Sequence, residues 1–214
     1  MKVKLINYSQ SPDGKNLLEQ VAFAARVSNP SNQNNSETAE KLVRYLIKHQ
    51  HWSPLEMVSA CLEIETTRDI ARQILRHRSF SLQEFSQRYA VADLGWELKE
   101  ARMQDTKNRQ NSIATDDKLL EIEWQRAQER VLYAVKREYD WAIANGIAKE
   151  QARAVLPEGI TVSRMYMNGT LRSWVHYISL RSANGTQKEH QEIALACADA
   201  LEPIFPMIKE YVNV

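Results

Sequence analysis

Apolar and polar positions change their period several times along the chain. Residues 3–8 form a short apolar-rich run that predicts a strand, closed by the turn Ser11, Pro12, Asp13, Gly14. Leu17, Leu18, Val21, Ala24 and Ala25 then recur at helical spacing, predicting a helix over 17–27 that Ser28, Asn29 and Pro30 stop. A polar loop covers 31–36, and 37–49 reads as an amphipathic helix with Leu42, Leu46 and Ile47 inward. Pro54 breaks the chain, and 57–66 reads as a strand that ends in alternation at Leu62, Glu63, Ile64 and Glu65. Helical spacing returns over 67–76, with Thr67 as N-cap and Asp69 in the first turn. Residues 90–117 are polar and broken, predicting a long loop with one short strand. A loop of that length in a compact domain tends to carry function. A long helix is predicted over 119–144, closed by Asn145 and Gly146, and a shorter one over 148–156 ended by Pro157. A strand over 161–167 turns through Asn168, Gly169 and Thr170 into a helix over 171–180, and a last helix covers 187–201. With no repeat and no linker, the pattern predicts one α+β domain spanning 1–214, with more helix than strand.

The length of 214 residues suits one domain with a real core. The net charge of +1 argues against a protein built to track long nucleic acid, so an anion site must be a local cluster. The two cysteines, Cys61 and Cys197, stand apart in apolar runs, which predicts buried thiols in a reducing, cytoplasmic setting. No Cys/His spacing suits a metal, no apolar run reaches membrane-span length, and the first residues do not read as a signal peptide. Phosphate loops of the GxxxxGK type, GxGxxG and GxSxG are all missing.

The chemistry concentrates at 76–88, RHRSFSLQEFSQR. Arginine pairs bidentately with phosphate, and Arg76, Arg78 and Arg88 lie close in sequence, with Arg153 and Arg181 on other predicted helices. Ser86 adds a neutral donor and Glu84 an acceptor for a ribose or base edge. Phe80, Leu82 and Phe85 would tuck the segment against a core, leaving its polar side to line a cleft. A solvated basic turn favoured by a helix C-terminus explains the same residues, and His51, Glu56, His176 and His190 read equally well as ordinary surface or helix positions.

The order Arg76-His77-Arg78, then Ser86, then Arg88 resembles the signature of the flavin-dependent thymidylate synthases in residue type and spacing. AARVS at 24–28, HWSPLE at 51–56, QARAVLP at 151–157 and LRSWVHYISLR at 171–181 are similar to further segments of that family. The resemblance implies a small, mostly antiparallel sheet packed by several long helices. It also implies reductive methylation of dUMP to dTMP. The one-carbon unit would come from 5,10-methylenetetrahydrofolate, with NADPH as reductant, FAD as mediator, and a homotetramer whose sites lie where subunits meet. By matching position, Gln73, Arg76, Glu84, Ser86, Arg88, Arg153 and Arg181 would bind dUMP. Arg181 would stand beside the uracil as the catalytic residue. Ser28, His51, Ser53, Glu56, Arg76, His77, Arg78, Glu84, Arg172 and His176 would hold FAD. Thr170, His176 and Gly185 stand where some members have asparagine, asparagine and histidine. The competing expectation is a non-catalytic nucleotide or nucleic-acid binder using the same arginines.

Overall fold

The architecture was obtained from a computed structural model that describes residues 1–213. Two strands organise it. In β2 (Ser59–Thr67) and β6 (Val162–Thr170), alternate residues are buried, as period-two side chains demand. Leu62 faces Met167 and Ile64 faces Met165 across an antiparallel register. β1 (Lys2–Tyr8) pairs with the other edge of β2, and β3 (Ser81–Glu84) with the other edge of β6. The sheet order is β1-β2-β6-β3, antiparallel throughout.

Helices α1 (Leu17–Ala25), α2 (Ala39–Lys48), α3 (Arg68–Ile74), α6 (Leu171–Arg181) and α7 (Lys188–Leu201) build one core with the sheet. Asn16 and Glu19 form a reciprocal capping box at the start of α1. Trp174 of α6 is fully buried, and its indole N–H donates to the Ala60 carbonyl at 3.0 Å, fixing α6 on β2. The α+β expectation therefore holds.

The long helix α4 (Lys118–Ala144) differs from the rest. Asp117 caps it, and Gly146, at φ +75°, takes the left-handed turn beyond its Asn145 cap. Only Gln128, Tyr139 and Ala142 are buried along it. Gln128 clamps the backbone N–H and C=O of Lys99 at 2.8 Å each, while Leu119, Trp124, Val131, Tyr133 and Trp141 stand exposed.

Several local expectations need correction. β3 was not foreseen; its four residues gain strand character only by pairing with β6. Residues 90–117 hold a hairpin, β4 (Arg102–Gln104) with β5 (Ser112–Ala114), instead of one strand. Asn168, Gly169 and Thr170 continue β6 opposite Ser59–Cys61 and do not turn. Gly169 is needed there because a Cβ would lie 2.4 Å from ring carbons of Phe80. The helix expected over 148–156 is one α-turn, α5 (Lys149–Ala152), followed by a 3-10 turn at Arg153–Val155. Thr67 occupies the N-cap of α3, but its hydroxyl donates to Asp69 at 2.5 Å and accepts from Lys99 at 2.8 Å, so it caps no amide.

Candidate active site

The basic segment leaves the end of α3, crosses to β3 and turns at Ser86. Phe80 anchors it edge-on against Trp174 (4.8 Å between ring centroids) and Tyr177 (5.9 Å), and Leu82 packs on the same core. The expected tucking against the core is therefore found at these two residues. The amide of Phe85 donates to the Arg164 carbonyl at 2.8 Å.

Arg181, at the end of α6, meets the centre of the RHR cluster. Its Nε donates to His77 Nε2 at 2.9 Å. Both terminal nitrogens of Arg181 are left without a partner among the described residues. An imidazole nitrogen that accepts this bond must be unprotonated, so His77 is neutral and carries its proton on Nδ1. Burial first, then the charges of Arg181, His176 and Arg76, push its pKa down to about 4. The His77 ring also packs edge-on against Tyr177 at 4.9 Å.

Behind this pair lies a polar chain that runs from the buried Tyr177 and His190 out to the exposed Gln187. Tyr177 Oη is 3.1 Å from His190 Nε2, and His190 Nδ1 is 3.2 Å from Gln73 Oε1. Gln73 Nε2 donates to Gln187 Oε1 at 2.7 Å. Burial, with Arg181 and His77 nearby, pushes the His190 pKa down to about 3. Sequence reasoning left His190 as an ordinary helix residue. Its sequence neighbourhood carries no sign of a contact with α3.

The remaining residues fall into three local groups. Glu84 Oε1 accepts from Ser163 Oγ at 2.8 Å and from Arg68 Nη1 at 3.1 Å; both partners are buried, and the sequence singled out neither. Arg88 pairs with Glu150 at 3.3 Å, and Arg153 Nε donates to the Glu150 carbonyl at 3.3 Å, so Arg88 and Arg153 share one neighbour. Arg172, at the start of α6, forms an ion pair with Glu56, joining HWSPLE to LRSWVHYISLR. Thr170 caps α6 by accepting from the Ser173 amide at 3.3 Å, which gives the departure from asparagine a structural use.

Arg76, Arg78 and Ser86 are exposed on open surface, as is His176. Ser28 borders a cavity of about 510 Å³ with Arg26, Thr38 and Tyr45. The His51 ring lies 6.1 Å from that same Tyr45. Ser53 borders a neighbouring cavity of about 610 Å³ with Lys15, Phe23 and Met57. A larger cleft, about 900 Å³, runs between α4, the β4–β5 hairpin and 157–160; Arg109 to Ser112 of the polar 107–112 loop line it. One chain therefore joins His77 to Arg181 directly, links Gln73 to them only through His190, and leaves the other candidates in satellite groups.

Comparison with known proteins identifies the family. The family model described as thymidylate synthase complementing protein matches residues 4–207. A probable flavin-dependent thymidylate synthase of Paramecium bursaria Chlorella virus 1 is 48% identical over 211 residues, covering 97% of each chain. The flavin-dependent thymidylate synthase of Synechocystis is 49% identical over 198 residues, covering 92% of this chain and 88% of its own. Among solved structures, the UMP/dUMP methylase PolB from Streptomyces cacaoi, bound with 5-Br UMP, superposes with a TM-score of 0.82 at 26% identity, covering 98% of this chain and 92% of its own. A family match over residues 4–207, with relatives 48% and 49% identical across nearly the whole chain, means that this protein belongs to the flavin-dependent thymidylate synthase family.

Proposed function

We propose that the protein is a flavin-dependent thymidylate synthase. It methylates dUMP reductively to dTMP, taking the one-carbon unit from 5,10-methylenetetrahydrofolate and reducing equivalents from NADPH. The observation that carries this reading is the hydrogen bond from Arg181 Nε to His77 Nε2, which holds the guanidinium while its two outer nitrogens have no partner among the described residues. Two fixed donors beside a uracil favour the ionised base and so raise electron density at C5. Preorganised charge of this kind in a water-poor site supplies roughly a hundredfold or more in rate.

Arg88, Arg153 and Ser86 are the phosphate-binding set, with Glu150 holding both arginines near one place until the phosphate replaces it as Arg88's partner. Gln73 and Glu84 present amide and carboxylate to the nucleoside. The residues fit a flavin as well. Arg76 and Arg78 are exposed cations suited to its diphosphate, Ser28 and Ser53 border neighbouring hollows, and the His51 ring stands 6.1 Å from Tyr45 at the first of them. The Glu56–Arg172 pair offers one acceptor and one fork, and His176 stands exposed on the same helix. Bound flavin supplies the redox chemistry; the chain supplies position and charge.

Two further features support this reading. Burial raises the pKa of both Cys61 and Cys197, which leaves neither thiol suited to attack a pyrimidine. The exposed apolar residues of α4 fit a homotetramer whose active sites lie between subunits, which would enclose arginines that one chain leaves open. A non-catalytic binder is disfavoured because the similarity runs through the whole chain. Among the described residues no helix is long and apolar enough to cross a membrane.

The deciding experiment is the absorption spectrum of the purified protein under anaerobic NADPH, with and without dUMP, followed by chromatography for dTMP after adding the folate. A flavin band that bleaches, at a rate that depends on dUMP, together with dTMP formation, is expected. A colourless protein that takes up no FAD would overturn the reading.

A further inference from the structure

His190 is fully buried, and both of its ring nitrogens are used. A neutral imidazole has one donor and one acceptor, so the two contacts cannot be chosen independently. The Tyr177 hydroxyl is also fully buried, and His190 Nε2 is its only acceptor among the described residues. The phenol must donate there, because a buried O–H without an acceptor is costly. That places the imidazole proton on Nδ1, which then donates to Gln73 Oε1 at 3.2 Å. With its oxygen so engaged, the Gln73 carboxamide turns its nitrogen to Gln187 Oε1, 2.7 Å away. One buried hydroxyl on α6 thus fixes the imidazole tautomer on α7, and the imidazole fixes which way an amide on α3 faces.

We infer that His190 is a positioning residue for nucleotide binding: it orients the Gln73 carboxamide so that one lone pair of Oε1 and one N–H of Nε2 remain for the nucleoside. The inference rests on the assignment of Gln73 to the dUMP site. His190 touches no substrate, so its loss weakens nucleotide binding and leaves flavin binding intact. Its contribution passes through Gln73, so it vanishes when Gln73 is absent.

The test is the dUMP dissociation constant of the flavin-loaded protein, measured by titration calorimetry, with flavin content and thermal melting as controls. His190→Leu removes both contacts. His190→Gln keeps a polar atom only near the Nε2 position. His190→Asn places an amide N–H close to where Nδ1 stands. The expected result is a Kd raised about fivefold or more in His190→Leu and His190→Gln, the size of one lost buried hydrogen bond. His190→Asn should stay within about twofold. In a Gln73→Ala background, His190→Leu should change Kd no further. An unchanged Kd in folded His190→Leu overturns the inference, as does an effect that adds in full to that of Gln73→Ala. If the His190 variants do not fold, Tyr177→Phe decides. Removing the hydroxyl that sets the tautomer should weaken dUMP binding in the wild-type background and not in Gln73→Ala, and equal effects in both overturn the inference. Absence of dUMP binding to the unaltered protein would instead remove the nucleotide-site reading beneath it.

Discussion

The two sides of His77 follow different rules. On the inner side, Tyr177, His190, Gln73 and Gln187 form a continuous hydrogen-bonded chain within one polypeptide. On the outer side, Arg76, Arg78 and Ser86 are exposed, and Arg88 has only a solvent-facing partner in Glu150. The inner chain is bonded end to end without a ligand and keeps spare capacity only on the Gln73 amide; the outer side is a set of donors with capacity to spare. A preorganised site needs both. The buried Tyr177–His190 part of the chain fixes geometry at low dielectric, where an unpaired group is costly, and the exposed cations remain free to exchange water or a weak carboxylate for a phosphate. Arg181 stands at the junction, with Nε tied inward to His77 and its outer nitrogens without a partner among the described residues.

The contrast is tested most strongly at that junction. Arg181→Ala is expected to fold, since the side chain lies at a helix end, and to lower dTMP formation roughly a hundredfold or more, read as kcat in a steady-state assay. Full activity in a folded variant would remove Arg181 from the site. The next largest effect belongs to the outer side. Arg88→Ala removes an exposed cation, so its melting temperature should hold. Its apparent affinity for dUMP should fall by about 2 kcal/mol, the value of a charge-assisted hydrogen bond. A loss of stability with unchanged KM would make Arg88 a structural residue and blur the distinction between the two sides.

The outer side was also the easier one to read in the sequence. Arg76, His77, Arg78, Ser86 and Arg88 declare themselves because their chemistry is spaced along thirteen consecutive residues. The anchors Phe80 and Leu82 were readable for the same reason. The inner side was not, because its bonds span long separations: Gln73 meets Gln187 across 114 residues and His190 across 117, and the separate Glu84–Ser163 bond spans 79. Nothing local marks His190, Ser163 or Arg68 as partners. β3 escaped for a related reason, since Ser81–Glu84 has little strand propensity of its own and depends on β6 beside it. The exposed apolar residues of α4 follow a period that correctly predicts a helix but does not reveal that most of it stays uncovered within one chain.

Packing under the inner side gives a smaller, purely structural effect. Gly169→Ala would place a Cβ 2.4 Å from the Phe80 ring, which holds the basic segment against Trp174 and Tyr177. Overpacking of this kind costs about 1 to 3 kcal/mol, and each kcal/mol lowers Tm by roughly 2 to 4 °C in a chain this size. Unchanged Tm would mean that Phe80 moves freely and anchors little. Acid should expose the inner side next. His77 and His190 are held neutral, with pKa values pushed from 6.5 to about 4 and about 3. Below pH 6.5 the unfolded chain takes up protons that the folded chain refuses. Stability from these groups is therefore full above that pH and falls as pH drops towards the folded values. Melting curves between pH 7 and 4.5 should show this decline, and a flat profile would mean that the imidazoles protonate without unfolding the site.

The smallest effect is expected at the thiols. Cys61 is half-buried on β2 and Cys197 fully buried on α7, and desolvation raises the pKa of each, so neither supplies thiolate near neutral pH. Cys197 lies near Tyr177 but is held as a thiol, and in the proposed mechanism the charge that activates the base comes from Arg181. Replacing both cysteines by alanine therefore removes packing but no chemistry. Turnover per folded enzyme should remain within about twofold, less than a single hydrogen bond contributes. Turnover should be measured alongside Tm, because the Cys197 site will lose some core contact. If the folded double variant makes no dTMP at all, a cysteine is attacking the pyrimidine after all. The preorganised Arg181–His77 pair would then orient the base for that attack and could not activate it unaided.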